Sequence, residues 1–283
     1  MSLKSRICAL AALVCLAGPV SAADIIFAGF DGTRWALWST DGGGAATRLL
    51  DREVRGPVLA GGHLVFADPS GRIWHRRDGA DPVELTGLPR PCDQPTIAPD
   101  LTRIVVACFR FSNRQDDGAL YQVDLATGAT SLLYDGPGLQ KSPAFSPDGA
   151  HLAFVSGFRL SADRVIEHIW IADSDGSNDR PVEDRSDINI DPAWLDADTV
   201  IFSSDIDGSG ITLWTKGIDG GKIGEFTRGE ADFAATAADN DAGAFVGFDG
   251  DAEALFLRDP DGRRQVLSLP GIEGVRDPSW VRK

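Results

Sequence analysis

Aspartates that precede prolines are the residues in this sequence best suited to chemistry. Asp191 and Asp277 stand in two similar segments, Ile190-Asp191-Pro192-Ala193-Trp194 and Arg276-Asp277-Pro278-Ser279-Trp280. Two carboxyl groups held roughly 5–10 Å apart can act as the acid and base of a glycoside-cleaving enzyme, and several carboxylate oxygens together suit Ca²⁺. Aspartates at turns also commonly accept hydrogen bonds from backbone N–H groups. We expect this last arrangement, and the catalytic pair and a calcium site at Asp191 and Asp277 are alternatives.

Three further polar residues occupy the same position of the sequence repeat described below, or one close to it. If the segments that contain them surround a channel, the candidate channel or binding residues are Asp93, Ser142, Asp191, Asp232 and Asp277. The four histidines occupy unmatched repeat positions without metal-ligand spacing, so we expect them at the surface. The sequence has no Gly-x-Ser-x-Gly motif for a nucleophilic serine. We therefore predict no catalytic residue.

Cys92 and Cys108 are predicted to form a disulfide bond. Both lie eight residues from Asp100, the centre of a predicted turn, so the strands on either side of that turn bring them opposite each other. Directly opposed residues of antiparallel strands have Cα atoms ~4.5–5.5 Å apart, which is within disulfide reach. Closing this loop contributes ~3 kcal/mol to stability on the chain-entropy model.

The first 22 residues have the pattern of a cleavable signal peptide. Lys4 and Arg6 precede an apolar run over residues 7–17, and small residues precede Ala23. That run is shorter than the ~20 residues needed to span a bilayer. We predict that residues 1–22 are removed and that residues 23–283 form one exported domain that does not span a membrane. An oxidising compartment also suits the predicted disulfide.

Two short segments recur six times, about every 44 residues, which is a period typical of propeller blades. One segment has an aromatic residue at its centre; the other lies upstream of it and is bulky or β-branched. The aromatic series is Trp38, Trp74, Tyr121, Trp170, Trp214 and Phe256, and the upstream series is Phe27, Phe66, Val106, Phe154, Phe202 and Phe245. No stretch has sustained helical spacing of apolar residues. The sequence therefore predicts an all-β, six-bladed propeller of four-stranded antiparallel blades.

A third recurring segment, usually with proline, precedes these two. The first unit lacks it, and the matching segment is the one at residues 276–280, near the other end of the chain. We predict that this C-terminal strand joins blade one and closes the ring.

Two runs of blade four, Pro143-Ala144-Phe145-Ser146-Pro147-Asp148-Gly149 and Ile169-Trp170-Ile171-Ala172-Asp173-Ser174-Asp175-Gly176, resemble the WD-like repeat of TolB propellers. The resemblance covers the predicted mature chain, although only blade four has the full motif. It implies a periplasmic protein of a Gram-negative bacterium, and it makes a cation such as Ca²⁺ in the channel plausible. TolB has an additional α/β domain before its propeller, whereas blade one here follows the predicted cleavage site directly. We therefore do not expect this protein to have the whole role of TolB in the Tol–Pal system.

Insertions in blades three and four, at residues 110–117 and 157–167, lengthen the connection between the second and third strands. Equivalent connections project from one face of a propeller, so we predict a lip of long loops there. Loops on a rigid scaffold commonly bind partners. The lip is basic on an acidic protein, with candidate residues Arg110, Arg114, Arg159 and Arg164.

The formal net charge of −15 argues against a nucleic-acid partner, because phosphates would be repelled. We predict a monomeric, non-enzymatic periplasmic propeller that binds a protein or a cell-envelope component, with no cofactor assigned apart from the possible Ca²⁺. One alternative is a carbohydrate-active hydrolase or lyase that uses the channel-mouth carboxylates. Another is a structural propeller stabilised by Ca²⁺.

Overall fold

The structure is a computed structural model that describes residues 25–111, 116–161, 164–227, 231–237 and 242–282. Within these ranges the chain forms β-strands and no helix, so none of the described segments is a helix able to cross a membrane. The all-β prediction is confirmed. The predicted signal peptide, residues 1–22, lies outside the described ranges and stays a prediction.

The strands follow one another along the described chain with short turns between most of them. In chain order they are β1 (Ile25–Phe30), β2 (Trp35–Thr40), β3 (Thr47–Leu50), β4 (Arg55–Ala60), β5 (His63–Ala67), β6 (Ile73–Arg77), β7 (Val83–Glu84), β8 (Cys92–Ile97), β9 (Arg103–Phe111), β10 (Asp116–Asp124), β11 (Thr130–Tyr134), β12 (Leu139–Phe145), β13 (His151–Ser161), β14 (Arg164–Asp173), β15 (Arg180–Glu183), β16 (Asn189–Trp194), β17 (Thr199–Ser204), β18 (Thr212–Gly217), β19 (Gly224–Glu225), β20 (Phe233–Ala237), β21 (Gly243–Asp249), β22 (Ala252–Arg258), β23 (Arg264–Val266) and β24 (Gly274–Trp280).

Four sheets have four strands each, in the orders β24-β1-β2-β3, β4-β5-β6-β7, β16-β17-β18-β19 and β20-β21-β22-β23. Strand β24 pairs antiparallel with β1, with Trp280 opposite Ile25, where the match between the chain ends predicts it. The strands β8 to β15 form one eight-stranded sheet. We call β24, β4, β8, β12, β16 and β20 the inner strands.

The eight-stranded sheet differs from the prediction of six separate blades. Its two halves are joined by one parallel pairing between β10 and β12, at Gly118 and Leu139. The Gly118 N–H also donates to the carbonyl of Gly138, with N···O 3.3 Å. The β9–β10 hairpin is long enough to reach the start of β12, and this contact merges the predicted third and fourth units.

The two series of bulky residues found in the sequence lie directly opposite each other in the structure. Each pairs a residue of a second strand with one of a third strand: Phe27 with Trp38, Phe66 with Trp74, Val106 with Tyr121, Phe154 with Trp170, Phe202 with Trp214 and Phe245 with Phe256. All members of the upstream series are fully buried. Their burial stabilises each sheet by roughly 1.5–3 kcal/mol per side chain.

The hydrophobic core consists of clusters between neighbouring groups of strands. One cluster joins Ile25 and Phe27 of β1 to Ala244 and Val246 of β21. Similar clusters join the other neighbouring groups in chain order. Each group therefore buries its faces against two neighbours, as the propeller architecture requires.

The insertion of blade four, predicted as a loop, continues two strands instead. The β13–β14 hairpin pairs Gly157 with Glu167, Phe158 with Ile166 and Arg159 with Val165. β-Branched and aromatic residues favour a pleated hairpin over an irregular loop. The insertion of blade three is also partly strand, because Arg110 and Asp117 pair across β9 and β10.

Candidate functional site

Each inner strand contains a bulge at the same repeat position. Its pairing with the next strand shifts register there. The residue at the shift has a φ of +50° to +53°, in the left-handed region. These bulge residues are Gly56, Gln94, Ser142, Asp191, Ala234 and Asp277. The left-handed conformation costs a non-glycine residue about 1–2 kcal/mol, so the fold maintains this geometry at a cost on five of six inner strands.

The residue before each bulge lies on the same wall. We call these pre-bulge residues, and with the bulge residues they form the channel wall. They are Arg55, Asp93, Lys141, Ile190, Phe233 and Arg276, and all are partly exposed. Inner strands of a propeller line its central channel, so this wall is the candidate site.

Hydrogen bonds link neighbouring bulges around the wall. The Asp277 carboxylate accepts from the Gly56 N–H, with N···Oδ2 3.0 Å. The Gln94 side-chain carbonyl accepts from the Ser142 N–H, with N···Oε1 2.9 Å. A side chain on one inner strand thus satisfies a backbone donor on the next, because the bulge removes that donor from the sheet.

Asp93 and Asp277 fit the structural role expected for aspartates at turns. Asp93 accepts from the adjacent Gln94 N–H, with N···Oδ1 2.7 Å. Burial raises the pKa of the Asp93 carboxyl above its usual range despite this bond, and the nearby Asp277 charge raises it further. Each carboxylate therefore has a backbone partner of its own.

Asp191 differs from these two aspartates. Its carboxylate has no hydrogen bond with any residue that the structure describes. Burial raises its pKa to about 6; Lys141 opposes the shift, while the charges of Asp277 and Glu167 add to it. A carboxyl group with such a pKa exchanges its proton near neutral pH, which is what acid–base chemistry requires.

Ser142 and Asp232, the remaining predicted channel residues, have different surroundings. Ser142 is a bulge residue of β12, and its buried Oγ has no hydrogen-bond partner among the described residues. Asp232 is fully buried and bonds to Arg264 of β23, with Oδ1···Nη2 2.7 Å. The structure thus places Ser142 on the channel wall and Asp232 in the blade interior.

The predicted basic lip contains ion pairs. Arg110 contacts Asp135 at 2.7 Å and Asp117 at 3.3 Å, and Arg164 bonds to both oxygens of Asp187, at 2.9 and 3.0 Å. Arg159 is exposed on β13, and Arg114 lies outside the described residues. Acidic neighbours therefore neutralise part of the lip.

Several wall residues escaped the sequence analysis. Lys141 forms an ion pair of 2.6 Å with Glu167 of the β13–β14 hairpin, which places that hairpin beside the channel wall. Arg276 pairs with Glu53 at 2.9 Å, and Arg55 stands one position before its bulge. Asp93 was found from the sequence and has the same repeat position as Lys141, Arg276 and Arg55. An alignment of all six inner strands would therefore have found these three residues as well.

The cysteine prediction is confirmed. Cys92 and Cys108 lie opposite each other on β8 and β9, with a disulfide bond and a Cα–Cα distance of 4.0 Å. The expectation of surface histidines is wrong for His63, which is buried at the junction of the β4–β5 turn and β5. His63 Nδ1 lies 2.9 Å from His75 Nε2.

A metal site is not evident in the described part of the chain, where no three His, Cys, Asp or Glu side chains form a group able to hold an ion. Calcium at Asp191 and Asp277 therefore stays a prediction. A cavity of about 500 Å³ lies away from the channel wall and is lined in part by Phe226, Arg258 and Arg264. Its arginines already bond to the Phe226 carbonyl and to Asp232.

Comparison with known proteins identifies the fold. TolB from Acinetobacter baumannii superposes with a TM-score of 0.73 at 17% identity, over 92% of this chain and 67% of that one. An oligogalacturonate lyase in complex with manganese has a TM-score of 0.61 at 16% identity, over 86% and 73%. A puromycin-hydrolysing peptidase from Mycobacterium tuberculosis has a TM-score of 0.59 at 20% identity, over 89% and 46%. The chain has the TolB-like β-propeller fold.

No family model matches the sequence. Two curated relatives do: dipeptidyl-peptidase 5 of Porphyromonas gingivalis, 27% identical over 43% of this chain and 18% of that protein, and a lasso peptide isopeptidase of Asticcacaulis excentricus, 32% identical over 34% and 15%. The matches thus span less than a fifth of either relative's length. Because these relatives are peptidases and the solved neighbours include a peptidase and a lyase, the predicted absence of enzymatic function is wrong.

Proposed function

We propose that this chain is an exported propeller that binds a polypeptide at its channel wall. The observation that carries the proposal is the set of strained bulges on the inner strands. Backbone strain of this kind costs stability and clusters at functional sites. Here it is repeated around one wall, which bears side chains of both charges beside apolar ones. Polypeptide is the ligand class named by both curated relatives and by the peptidase among the solved neighbours.

The proposal includes six blades and a closed ring. Strands β8–β11 and β12–β15 would each be a blade, since a single parallel pairing joins them. Strand β24 would complete the first blade, and it also contacts β20 of the last one. The repeated bulge supports this count, because each inner strand has one.

The proposed location is the periplasm, after removal of residues 1–22 as a signal peptide. The Cys92–Cys108 disulfide supports an oxidising compartment, and TolB is among the structural neighbours. Edman sequencing of the secreted protein tests this directly: a first residue at Ala23 supports the proposal, and an intact N-terminus contradicts it.

Polypeptide binding is tested by blocking the channel wall. The probe is a tryptic digest of casein, passed over immobilised protein, with the retained peptides quantified by mass spectrometry. Ile190→Trp places a large ring on the wall and should abolish retention. Leu132→Trp makes a similar change at an exposed position of the outer strand β11 and should leave retention unchanged. Equal retention by both variants would place the binding surface elsewhere. New peptide ends in the digest would reveal peptidase activity.

A second candidate function is acid–base turnover of an acidic carbohydrate. It is favoured by the Asp191 carboxyl, whose pKa is raised to about 6, and by the lyase among the structural neighbours. Asp191 as base would remove the C5 proton beside the uronate carboxyl group; a C4=C5 double bond would form as the C4–O glycosidic bond breaks, and water would protonate the departing oxygen. The test is the release of unsaturated products from oligogalacturonides, followed against pH. Turnover that rises through about pH 6 and is lost in Asp191→Asn would support this function; no turnover in the unaltered protein would exclude it.

A further inference from the structure

Most charged groups of the channel wall have partners within the protein. Arg276 is bound to Glu53 and Lys141 to Glu167. The carboxylates of Asp93 and Asp277 accept backbone N–H groups. These groups have part of their bonding capacity satisfied before any ligand arrives.

Arg55 and Asp191 are the exceptions. Among the described residues, neither side chain makes a hydrogen bond or a salt bridge, although Arg55 is close enough to Asp93 to oppose the rise of the Asp93 pKa. Both are partly buried on inner strands. Removing a charge from water without a partner is unfavourable, and a guanidinium offers several donors in a fixed plane. An unpaired arginine and an unpaired carboxylate on one wall are therefore available to a ligand.

The positions of Arg55 and Asp191 determine how far apart the ligand groups that bind them must be. Arg55 begins β4, and Asp191 lies in β16. Each inner strand contacts the next in the order β24, β4, β8, β12, β16, β20. Strands β4 and β16 are three places apart in this order of six, so the two side chains stand on opposite sides of the channel.

An apolar surface adjoins Asp191. The pre-bulge residues of the last two inner strands are Ile190 and Phe233, in contrast to the charged residues on the other four. The Phe233 ring lies 6.3 Å from that of Phe248, which is unusually exposed for a phenylalanine. One side of the channel therefore accepts an apolar group, and the other presents an arginine without a salt bridge.

We propose that the channel wall binds the C-terminal end of a polypeptide, with its carboxylate on Arg55, a backbone N–H donated to Asp191 and an apolar side chain against Ile190 and Phe233. This proposal rests on the polypeptide binding proposed above. A planar guanidinium binds a carboxylate through two parallel hydrogen bonds. A chain end also enters a narrow channel without passing through it. A polyuronate fits less well, because its regularly spaced carboxylates would meet the Asp191 charge.

The test measures binding of short peptides by isothermal titration calorimetry. The probes are acetyl-Gly-Ala-Phe as the free acid, the same peptide as its C-terminal amide, and acetyl-Gly-Asp-Phe-amide, which has only a side-chain carboxylate. The unaltered protein should bind the free acid about tenfold or more tightly than the amide. Arg55→Gln should remove this difference, and Arg55→Lys should keep part of it.

The matched control is Arg263→Gln. Arg263 is an exposed arginine near the outer strand β23, and its replacement should leave the preference for the free acid intact. Melting temperatures of all variants verify that they fold.

Three outcomes would overturn the inference. Equal binding of the free acid and the amide by the unaltered protein would show that the C-terminal carboxylate is not recognised. Polypeptide binding at the channel wall would still stand. Preference for the aspartate-containing amide over the free acid would mean that Arg55 binds an acidic side chain of the ligand and not its C-terminal carboxylate. Binding of digalacturonate but of no peptide would contradict both this inference and the proposed polypeptide binding.

Discussion

The two sides of the channel wall have the same backbone and opposite chemistry. On β24, β4, β8 and β12 the pre-bulge residues are all charged: Arg276, Arg55, Asp93 and Lys141. On β16 and β20 they are Ile190 and Phe233. All six strands have the same left-handed bulge beside them. The repeat therefore fixes the position of each side chain on the wall, whereas the type of side chain at that position differs from unit to unit.

Asp232, which lies near the apolar side, has a different role. Asp232 precedes β20 but bonds to Arg264 inside the blade, where Arg264 also stacks on Phe256 at 3.8 Å. Asp232 is fully buried, so its carboxylate is not exposed to the channel. Charges on the first side should therefore matter for binding, and the charge at Asp232 should matter for stability.

The largest expected effect is on Asp232→Asn, which leaves Arg264 facing an uncharged group in a buried site. Breaking a buried ion pair costs about 3–5 kcal/mol, and we expect the free energy of unfolding to fall by about 3 kcal/mol because Arg264 is partly exposed. Urea denaturation measures this. Arg55→Gln, on the charged side, should change the same quantity by less than about 1 kcal/mol. Equal losses of unfolding free energy in the two variants would contradict the division into charges that stabilise the fold and charges that are available for binding.

A smaller, pH-dependent gain is expected for Asp191→Asn. The carboxyl pKa is raised to about 6 from an ordinary value of 3.8, so the folded protein holds this proton more tightly than the unfolded chain. Stability is therefore lost as the pH rises from about 4 to 6. The variant should be more stable than the unaltered protein by about 1–3 kcal/mol at pH 7 and no different near pH 3. Denaturation midpoints at the two pH values measure the effect; a gain that is the same at both would refute its electrostatic origin.

The smallest effects concern the bulges themselves. Gly56→Ala would place a Cβ 3.2 Å from the Gln94 Cα at a φ of +50°, and should lower the free energy of unfolding by about 1–2 kcal/mol. Ala234→Gly relieves a φ of +51° on the apolar side and should change stability by less than about 1 kcal/mol, since relief of strain is offset by added freedom in the unfolded chain. Thermal unfolding compares them. An Ala234→Gly variant that loses more than about 1 kcal/mol would mean that this bulge is not strained.

Sequence reasoning succeeded where a residue's partner is fixed by a regular strand. The opposed Phe154 and Trp170, and the disulfide between Cys92 and Cys108, follow from counting along antiparallel strands around a turn. It failed where the partner does not lie on the neighbouring strand of the same hairpin. The Arg264–Asp232 pair crosses from the outer to the inner strand, and the Gly118–Leu139 pairing joins two predicted blades.

The sequence by itself determined the all-β repeat, the two recurring series of bulky residues and the cysteine pairing, because each depends on strand periodicity within one unit. Only the tertiary structure decided which charges of the wall have partners. Arg55 and Lys141 have equivalent repeat positions, yet Lys141 forms a salt bridge with Glu167 of an extended hairpin, whereas Arg55 forms no salt bridge in the described chain and acts on Asp93 only from a longer distance. The reason is physical: an ion pair depends on the distance between atoms of residues that are far apart along the chain, and a local sequence pattern does not encode that distance.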